Sequence, residues 1–457
     1  MMAQAGAPGA DGLLTRDDAR QLADRVLALA QGFDEARVNV TSVWSGNTRF
    51  ADSSITTSGG ITDTSVSVTV TIGRRRASAT TNVLEEGSLK RVVEQAATLA
   101  RLAPEDPELM PELGPQTPPV VNAFVQQTAN LDPEARSGAV SRAIDAAGRA
   151  SRSIGGVFTA GFLNVNARAV AVATSRGLFA YHRTTDADFS MTARTSDATG
   201  SGWASAGARD WGRVDPATIG RIAAEKAIAS RNPQAIPPGK YTAVLEPAAV
   251  NDLVPLLAGA LNARTADEGR SPFSKAGGGT RIGEKVMDER VTLYSDPSDP
   301  ALLAQPFDNE GLPLKRRTWV EQGILRSLSY SRFWAAKQGK EPTGPPLAGG
   351  LVLAGGSKST DELVAGCARG ILVTHFFYIR SLDPRTVLQT GLTRDGLFMI
   401  ENGKITRALK NFRFNESPLL MLNRLEDIGR PVLTAAGRMM PALRIRDFDF
   451  ASSSDAI

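Results

Sequence analysis

The sequence predicts an α+β protein of two unequal designs. Its N-terminal part reads as an α/β domain with a mixed or antiparallel sheet and flanking helices. Its C-terminal part reads as mostly β, sandwich- or barrel-like. Three observations carry this. Residues 64–72 alternate strictly, with Val66, Val68, Val70 and Ile72 on one side and Ser65, Ser67, Thr69 and Thr71 on the other, the period of a half-buried strand. Helical apolar spacing is concentrated before residue 262, whereas short β segments recur after 300. The run from Asn232-Pro233 to Pro237-Pro238-Gly239 separates the two designs.

Taken in order, residues 1–12 are rich in Ala and Gly and are expected to be disordered. They lack the basic start and apolar stretch of a signal peptide. An N-terminal domain is expected over 13–235. Thr15 and Asp18 form a capping-box pattern, and Leu22, Val26 and Leu29 continue it as a helix. A strand over 36–43, a Gly46-Asn47 turn and a second strand over 49–55 are predicted next. Gly73-Arg74 closes a hairpin between 64–72 and 75–82, and a helix follows over 89–102. Residues 103–119 hold six prolines and are expected to be an extended connector, since proline fixes φ and removes a donor. Helices are expected over 132–151 and 216–230, with several short β segments between 155 and 193. The C-terminal domain spans 239–450, with a tail at 451–457. It opens with a strand over 241–245 and a helix over 247–262. Loops fill 263–300, and strands follow at 317–321, 324–329, 351–354, 371–379, 396–401, 404–414 and 442–450. Glu401-Asn402-Gly403-Lys404 has the composition of a type I′ hairpin turn.

Composition restricts the chemistry. The 457 residues include two histidines, His182 and His375, and one cysteine, Cys367. A disulfide within the chain is impossible. A zinc site of the usual His and Cys type, with some ligands close in sequence, is nearly excluded. Cys367 and His375 lie eight residues apart on a predicted strand and its approach, which separates them by over ~25 Å. The formal charge of +4 is too weak a field to argue for nucleic acid. No stretch offers the ~18 uninterrupted apolar residues of a membrane span. With few cysteines, these features predict a cytoplasmic protein without nucleic-acid or membrane partners.

No HExxH, HExxxH, G-x-S-x-G, P-loop or dinucleotide fingerprint occurs. A Ser-His-Asp triad would have to use His182 or His375, and nothing local supports one. Asp308 and Glu310, in Pro306-Phe307-Asp308-Asn309-Glu310-Gly311, are the best carboxylate pair. On a strand they could serve together as ligands or as acid and base. Proline before and glycine after favour a turn in which the acids cap backbone donors. Contact with a peptide or partner is a third role.

A set of ordered motifs resembles the TldD/PmbA family, also called modulator of DNA gyrase or the TldD/TldE peptidases. They are Asn47-Thr48-Arg49-Phe50-Ala51, 238–247, Ser295-Asp296-Pro297, 306–313, Gly323-Ile324-Leu325, Thr343-Gly344, Gly391, 400–405 and Pro441-Ala442-Leu443-Arg444-Ile445. The signature residues Asn47, Arg49, Phe50, Pro306, Phe307, Asp308, Glu310, Gly311, Gly391, Asn402 and Gly403 are candidates for a structural role or for peptide or partner contact. The resemblance implies two kinds of member. TldD-like members carry HExxxH on the helix early in the C-terminal domain and a cysteine near the C-terminus, whereas TldE-like members lack them. Here that helix reads Val250-Asn251-Asp252-Leu253-Val254-Pro255-Leu256-Leu257-Ala258-Gly259, and the later region Thr434-Ala435-Ala436-Gly437-Arg438-Met439-Met440-Pro441. The resemblance is therefore to the TldE-like member, with no catalytic or metal residue carried over to this chain. It implies a TldD-like HExxxH homologue as partner, in a heterodimer or higher assembly, with zinc in that partner. It also implies a chamber that admits unfolded peptides. Two other readings stay open: a metal-free peptide-binding homodimer, and a hydrolase with an unrecognised non-zinc site.

Overall fold

A computed structural model describes residues 12–454. The expected disordered start therefore lies almost entirely outside the described residues, as do 455–457 of the expected tail. The first part comprises α1 (Arg16–Leu29), β1 (Glu35–Ala51), β2 (Ser54–Ile72), β3 (Arg75–Thr81), α2 (Glu86–Leu102), α3 (Gln126–Ala129), α4 (Pro133–Ala150), β4 (Val157–Thr174), β5 (Phe179–Thr195), β6 (Ser201–Ala208) and α5 (Pro216–Ala229). The predicted capping box is present. Thr15 Oγ1 accepts from the Asp18 N–H, and the Asp18 carboxylate accepts from the Thr15 N–H.

The six strands form one sheet in the order β3-β2-β1-β4-β5-β6, antiparallel throughout. Alternation makes one face of β1 apolar. Ala36, Val38, Val40, Trp44 and Phe50 are all buried. Helices α1 and α2 cover one end of that face, and α4 and α5 the other. The predicted turn at Gly46-Asn47 is corrected: β1 runs straight through it. Gly46 serves packing instead, because a Cβ there would meet the Arg136 guanidinium at 2.6 Å. The chain reverses at Asp52-Ser53, both in the left-handed region at φ 53° and 56°. The short segments expected between 155 and 193 are two long strands, β4 and β5. β3 pairs with β2 only from Val66 to Ile72. The outer edge of 54–65 therefore has no strand partner among the described residues, and 54–63 are exposed.

The proline-rich stretch is extended but not free. Buried Glu112 receives Arg37 and Arg76, each at 3.1 Å. Ala123 accepts from the Thr185 N–H at 3.0 Å.

The second part comprises β7 (Gly239–Leu245), α6 (Pro247–Leu253), β8 (Leu293–Ser295), β9 (Arg317–Glu321), β10 (Ile324–Leu325), β11 (Leu351–Leu353), β12 (Arg369–Asp383), β13 (Leu388–Glu401), β14 (Lys404–Ala408), β15 (Phe412–Glu416), β16 (Leu425–Ile428), β17 (Val432–Leu433), β18 (Met439–Met440) and β19 (Leu443–Ser453), with further short helices at Leu257–Ala260, Ala263–Asp267, Arg332–Gln338, Thr360–Ala365 and Pro418–Met421. The strand expected over 404–414 is two, β14 and β15. β19 extends three residues into the expected tail. The helix expected over 247–262 is broken after Leu253, where a short 3-10 turn containing Pro255 intervenes. Proline cannot donate the backbone hydrogen bond that a continuous helix needs there.

β12, β7, β19, β15 and β13 pair in sequence, and β13 returns to β12, closing a five-stranded barrel. Closure shows in the side chains. Phe376 of β12 lies 4.5 Å from Phe414 of β15 and 5.6 Å from Phe448 of β19, none of them adjacent strands to β12. Phe412 and Phe450 complete this aromatic interior. The remaining short strands form a second sheet, β10-β9-β8-β11-β18-β17, which shares the barrel's apolar core.

Candidate functional site

The chemistry-bearing groups of the second part gather where α6 and the start of the β12–β13 hairpin meet β6 of the first sheet. Helix α6 buries Ala249, Val250 and Leu253 in the core, which leaves Asn251 and Asp252 on its polar side. Asp252 Oδ2 accepts from the Phe376 N–H at 2.8 Å. Burial pushes this carboxyl up to about 6, although that hydrogen bond and the nearby His375 pull the other way. His375 Nε2 lies 3.1 Å from Asp395 Oδ2, and Trp203 of β6 packs on the imidazole at 4.5 Å between ring centroids. Ser201 Oγ donates to Asp395 Oδ1 at 2.5 Å. Burial alone would raise the Asp395 carboxyl. The bonds from His375 and Ser201, together with the His375 and Arg394 charges, hold it below the usual range.

This serine, aspartate and histidine are in the wrong order for a nucleophile. A triad needs histidine between serine and aspartate, so that imidazole takes the hydroxyl proton. Here Asp395 stands in the middle and the serine proton faces a carboxylate. The arrangement joins β6 to the barrel. Lys226 to Glu246 at 2.6 Å and buried Arg209, which donates to the Ala304 carbonyl at 3.0 Å, reinforce the same seam.

Asn251 turns toward the 434–438 loop. Its Oδ1 accepts from Arg438 Nη1 at 3.3 Å and from Thr434 Oγ1 at 3.4 Å. Burial lowers the Arg438 guanidinium from its ordinary value. The helix and the loop to which the resemblance assigns metal ligands thus meet in space, and what they bring together is an amide and a fixed cation, while the helix's carboxylate, Asp252, is turned to the Phe376 N–H. A zinc ion needs anionic or neutral electron-pair donors, and a guanidinium repels it. The residues do not fit zinc. Among the described residues no three His, Cys, Asp or Glu side chains are grouped to hold a metal.

The family-signature residues are spread over the molecule. Phe50 stacks on Phe189 at 5.9 Å and lies where a Cβ on Gly161 would stand. Asn47 sits opposite Asn164 in the sheet, and Arg49 is exposed. Pro306 to Gly311 form a turn docked on the first sheet, with Phe307 buried against Val172, Leu178 and Ala180. Asp308 Oδ1 accepts from the Glu310 and Leu312 N–H groups at 2.9 and 3.0 Å, while Glu310 pairs with Arg332 at 2.7 Å. Burial raises the Asp308 carboxyl and those two bonds oppose it. Asp308→Ala is therefore expected to cost about 1–3 kcal/mol of stability through two stranded donors, measured by urea unfolding. It should leave any peptide processing by an assembled complex unchanged. Gly391 allows Phe414 to approach, since a Cβ would meet that ring at 2.7 Å. Asn402 and Gly403 form the expected hairpin turn at φ 51° and 73°. His182 is buried, held down to about 4 by burial and the Arg209 charge. Cys367 is a buried thiol raised by burial. Sequence reasoning missed Asn251, Asp252, Asp395, Ser201, Trp203 and Arg438 as a set. The one available signal was two adjacent polar residues on an otherwise apolar helix.

A helix-covered antiparallel sheet joined to a small closed barrel, with polar groups at the seam, defines a two-part α+β protein. The chain belongs to the PmbA/TldD metallopeptidase family. Residues 238–452 match the PmbA/TldA metallopeptidase C-terminal domain, and 128–231 match the central domain. It is similar to a metalloprotease of Methanothermobacter thermautotrophicus, 25% identical over 228 residues that cover 48% of this chain and 49% of the relative. It is also similar to the metalloprotease PmbA of Escherichia coli O157:H7, 26% identical over 159 residues that cover 34% and 32%. The matches thus span about half or less of these relatives' length. In fold it matches TldE from Thermococcus kodakarensis, with TM-score 0.83, 18% identity and coverage of 94% of this chain and 99% of that one. A Thermotoga maritima protein named for modulation of a DNA gyrase matches with TM-score 0.83, 21% identity and the same coverage. No described helix is long and apolar enough to cross a membrane.

Proposed function

We propose that this chain is a non-catalytic, TldE-like subunit of a zinc peptidase. It would pair with a TldD-like HExxxH homologue and help to form a chamber for unfolded peptides in the cytoplasm. The observation that carries the reading is the Asn251–Arg438 contact. Where a catalytic relative is implied to bring metal ligands together, this chain brings a cation and an amide. A second support is the outer edge at 54–65, which has no strand partner among the described residues and, apart from the Gly59 carbonyl that accepts from Arg136, suits an added strand from a peptide or partner. The bland alternative for Ser201, His375 and Asp395, a structural tie between the two parts, accounts for them without chemistry.

Co-expression with an HExxxH-bearing homologue tests this. Co-purification and peptide cleavage that chelator abolishes are expected only when both chains are present. Cleavage by this chain alone, insensitive to chelator, would return the reading to an unrecognised hydrolytic site. Light scattering at twice the chain mass, with no affinity for the homologue, would favour a peptide-binding homodimer.

A further inference from the structure

Arg438 is a partly buried guanidinium with no carboxylate partner among the described residues. Its five N–H donors make one side-chain hydrogen bond, to Asn251 Oδ1. Only the amide oxygen can accept, so Asn251 must turn its oxygen to Arg438, and its Nδ2 is left as a donor without a protein acceptor among the described residues. The cluster therefore presents donors only. Such a set attracts an oxyanion, and a guanidinium matches a carboxylate with two parallel bonds.

The loop that carries Arg438 is held in place before any ligand arrives. Thr434 N–H donates to the Arg438 carbonyl at 2.9 Å, Gly437 N–H to the Thr434 carbonyl at 2.9 Å, and Leu303 N–H to the Gly437 carbonyl at 3.1 Å. Ala435 packs against Gly207 of β6, which sets the loop at the seam between the two parts. A site on a fixed loop loses little freedom when it binds. The cation is partly buried without a carboxylate partner among the described residues, and its remaining N–H groups are open to an incoming anion.

We propose that Arg438 and Asn251 form a subsite for a carboxylate of a bound peptide. This rests on the peptide-binding part of the reading above and names the chemical feature of the substrate that the chain recognises. The carboxylate comes from the peptide's C-terminus or from an acidic side chain, and the test separates the two.

The experiment uses the full chain without partner and isothermal titration with three probes. These are N-acetyl-trialanine with a free C-terminus, its C-terminal amide, and N-acetyl-Ala-Glu-Ala amide. Binding of one carboxylate-bearing probe at least about tenfold tighter than the trialanine amide is expected. Preference for the free acid assigns the terminus, and preference for the glutamate peptide assigns the side chain. Arg438→Gln should erase the preference, and Arg438→Lys should keep part of it, since an ammonium is a point charge without the fork. Asn251→Asp should erase it while Arg438 remains, because the new carboxylate occupies the guanidinium. Its melting temperature should not fall, which separates loss of binding from loss of fold. Equal affinity for all three probes, no binding of any, or a preference that survives Arg438→Gln would overturn the proposal. Because no partner is present, failure of the pairing reading leaves this result untouched.

Discussion

At pH 8 the Asp252→Asn protein is expected to be more stable than the parent by up to about 3 kcal/mol, and the gain should vanish near pH 4. Asp252 titrates near 6 in the folded chain against 3.8 as an ordinary carboxyl, because burial penalises its charge. A raised folded value means that the folded state holds the proton more tightly. That contribution is fully present below the unfolded value and is lost as pH rises through 6. Above it the native chain carries a buried carboxylate, opposed only by the Phe376 N–H and His375. Asparagine keeps an oxygen for the Phe376 N–H and carries no charge at any pH. Urea midpoints of both proteins at intervals from pH 4 to pH 8 decide it. Parallel profiles would show that Asp252 is not the group that titrates.

Phe414→Ala is expected to cost about 3–5 kcal/mol, the range for removing a large buried aromatic side chain. Phe414 is fully buried. It touches Phe376 at 4.5 Å and Phe448 at 5.9 Å, so its loss empties the barrel between β12, β15 and β19. Phe414→Leu should cost clearly less, because most of the volume is kept. Gly391→Ala should couple to both, since the added methyl enters the space of the Phe414 ring. Denaturant unfolding of the single and double variants measures this. A cost below about 1 kcal/mol for Phe414→Ala would mean that the site can collapse and is not a rigid interior.

What could be read from the sequence was local. The Thr15 capping box and the Asn402-Gly403 turn are patterns of a few neighbouring residues, and each is present in the fold, whereas the alternation of β2 shows in burial only as far as Val68, because Thr69 and Thr71 are buried as well. The turn at Asp52-Ser53 escaped because two non-glycine residues adopt positive φ, while Gly46-Asn47 offered better turn chemistry and was used for packing Arg136. Barrel closure escaped because it depends on pairs such as Lys240 with Asp449, which no local period announces. The seam was illegible for the same reason. Ser201 and Asp395 are 194 residues apart, and Asn251 and Arg438 are 187 apart. Each looks like an ordinary surface residue until the sheet and barrel are docked. The scarcity of histidine and cysteine was legible from composition alone.

The central claim is that this chain holds no catalytic metal and that any zinc belongs to its partner. Metal analysis of the purified lone chain, set beside the complex co-purified with the HExxxH homologue, tests it most directly. The expected result is no zinc above the blank in the lone chain, and zinc in the complex in proportion to the homologue. Stoichiometric zinc in the lone chain, lost on substitution of its own residues, would contradict the account.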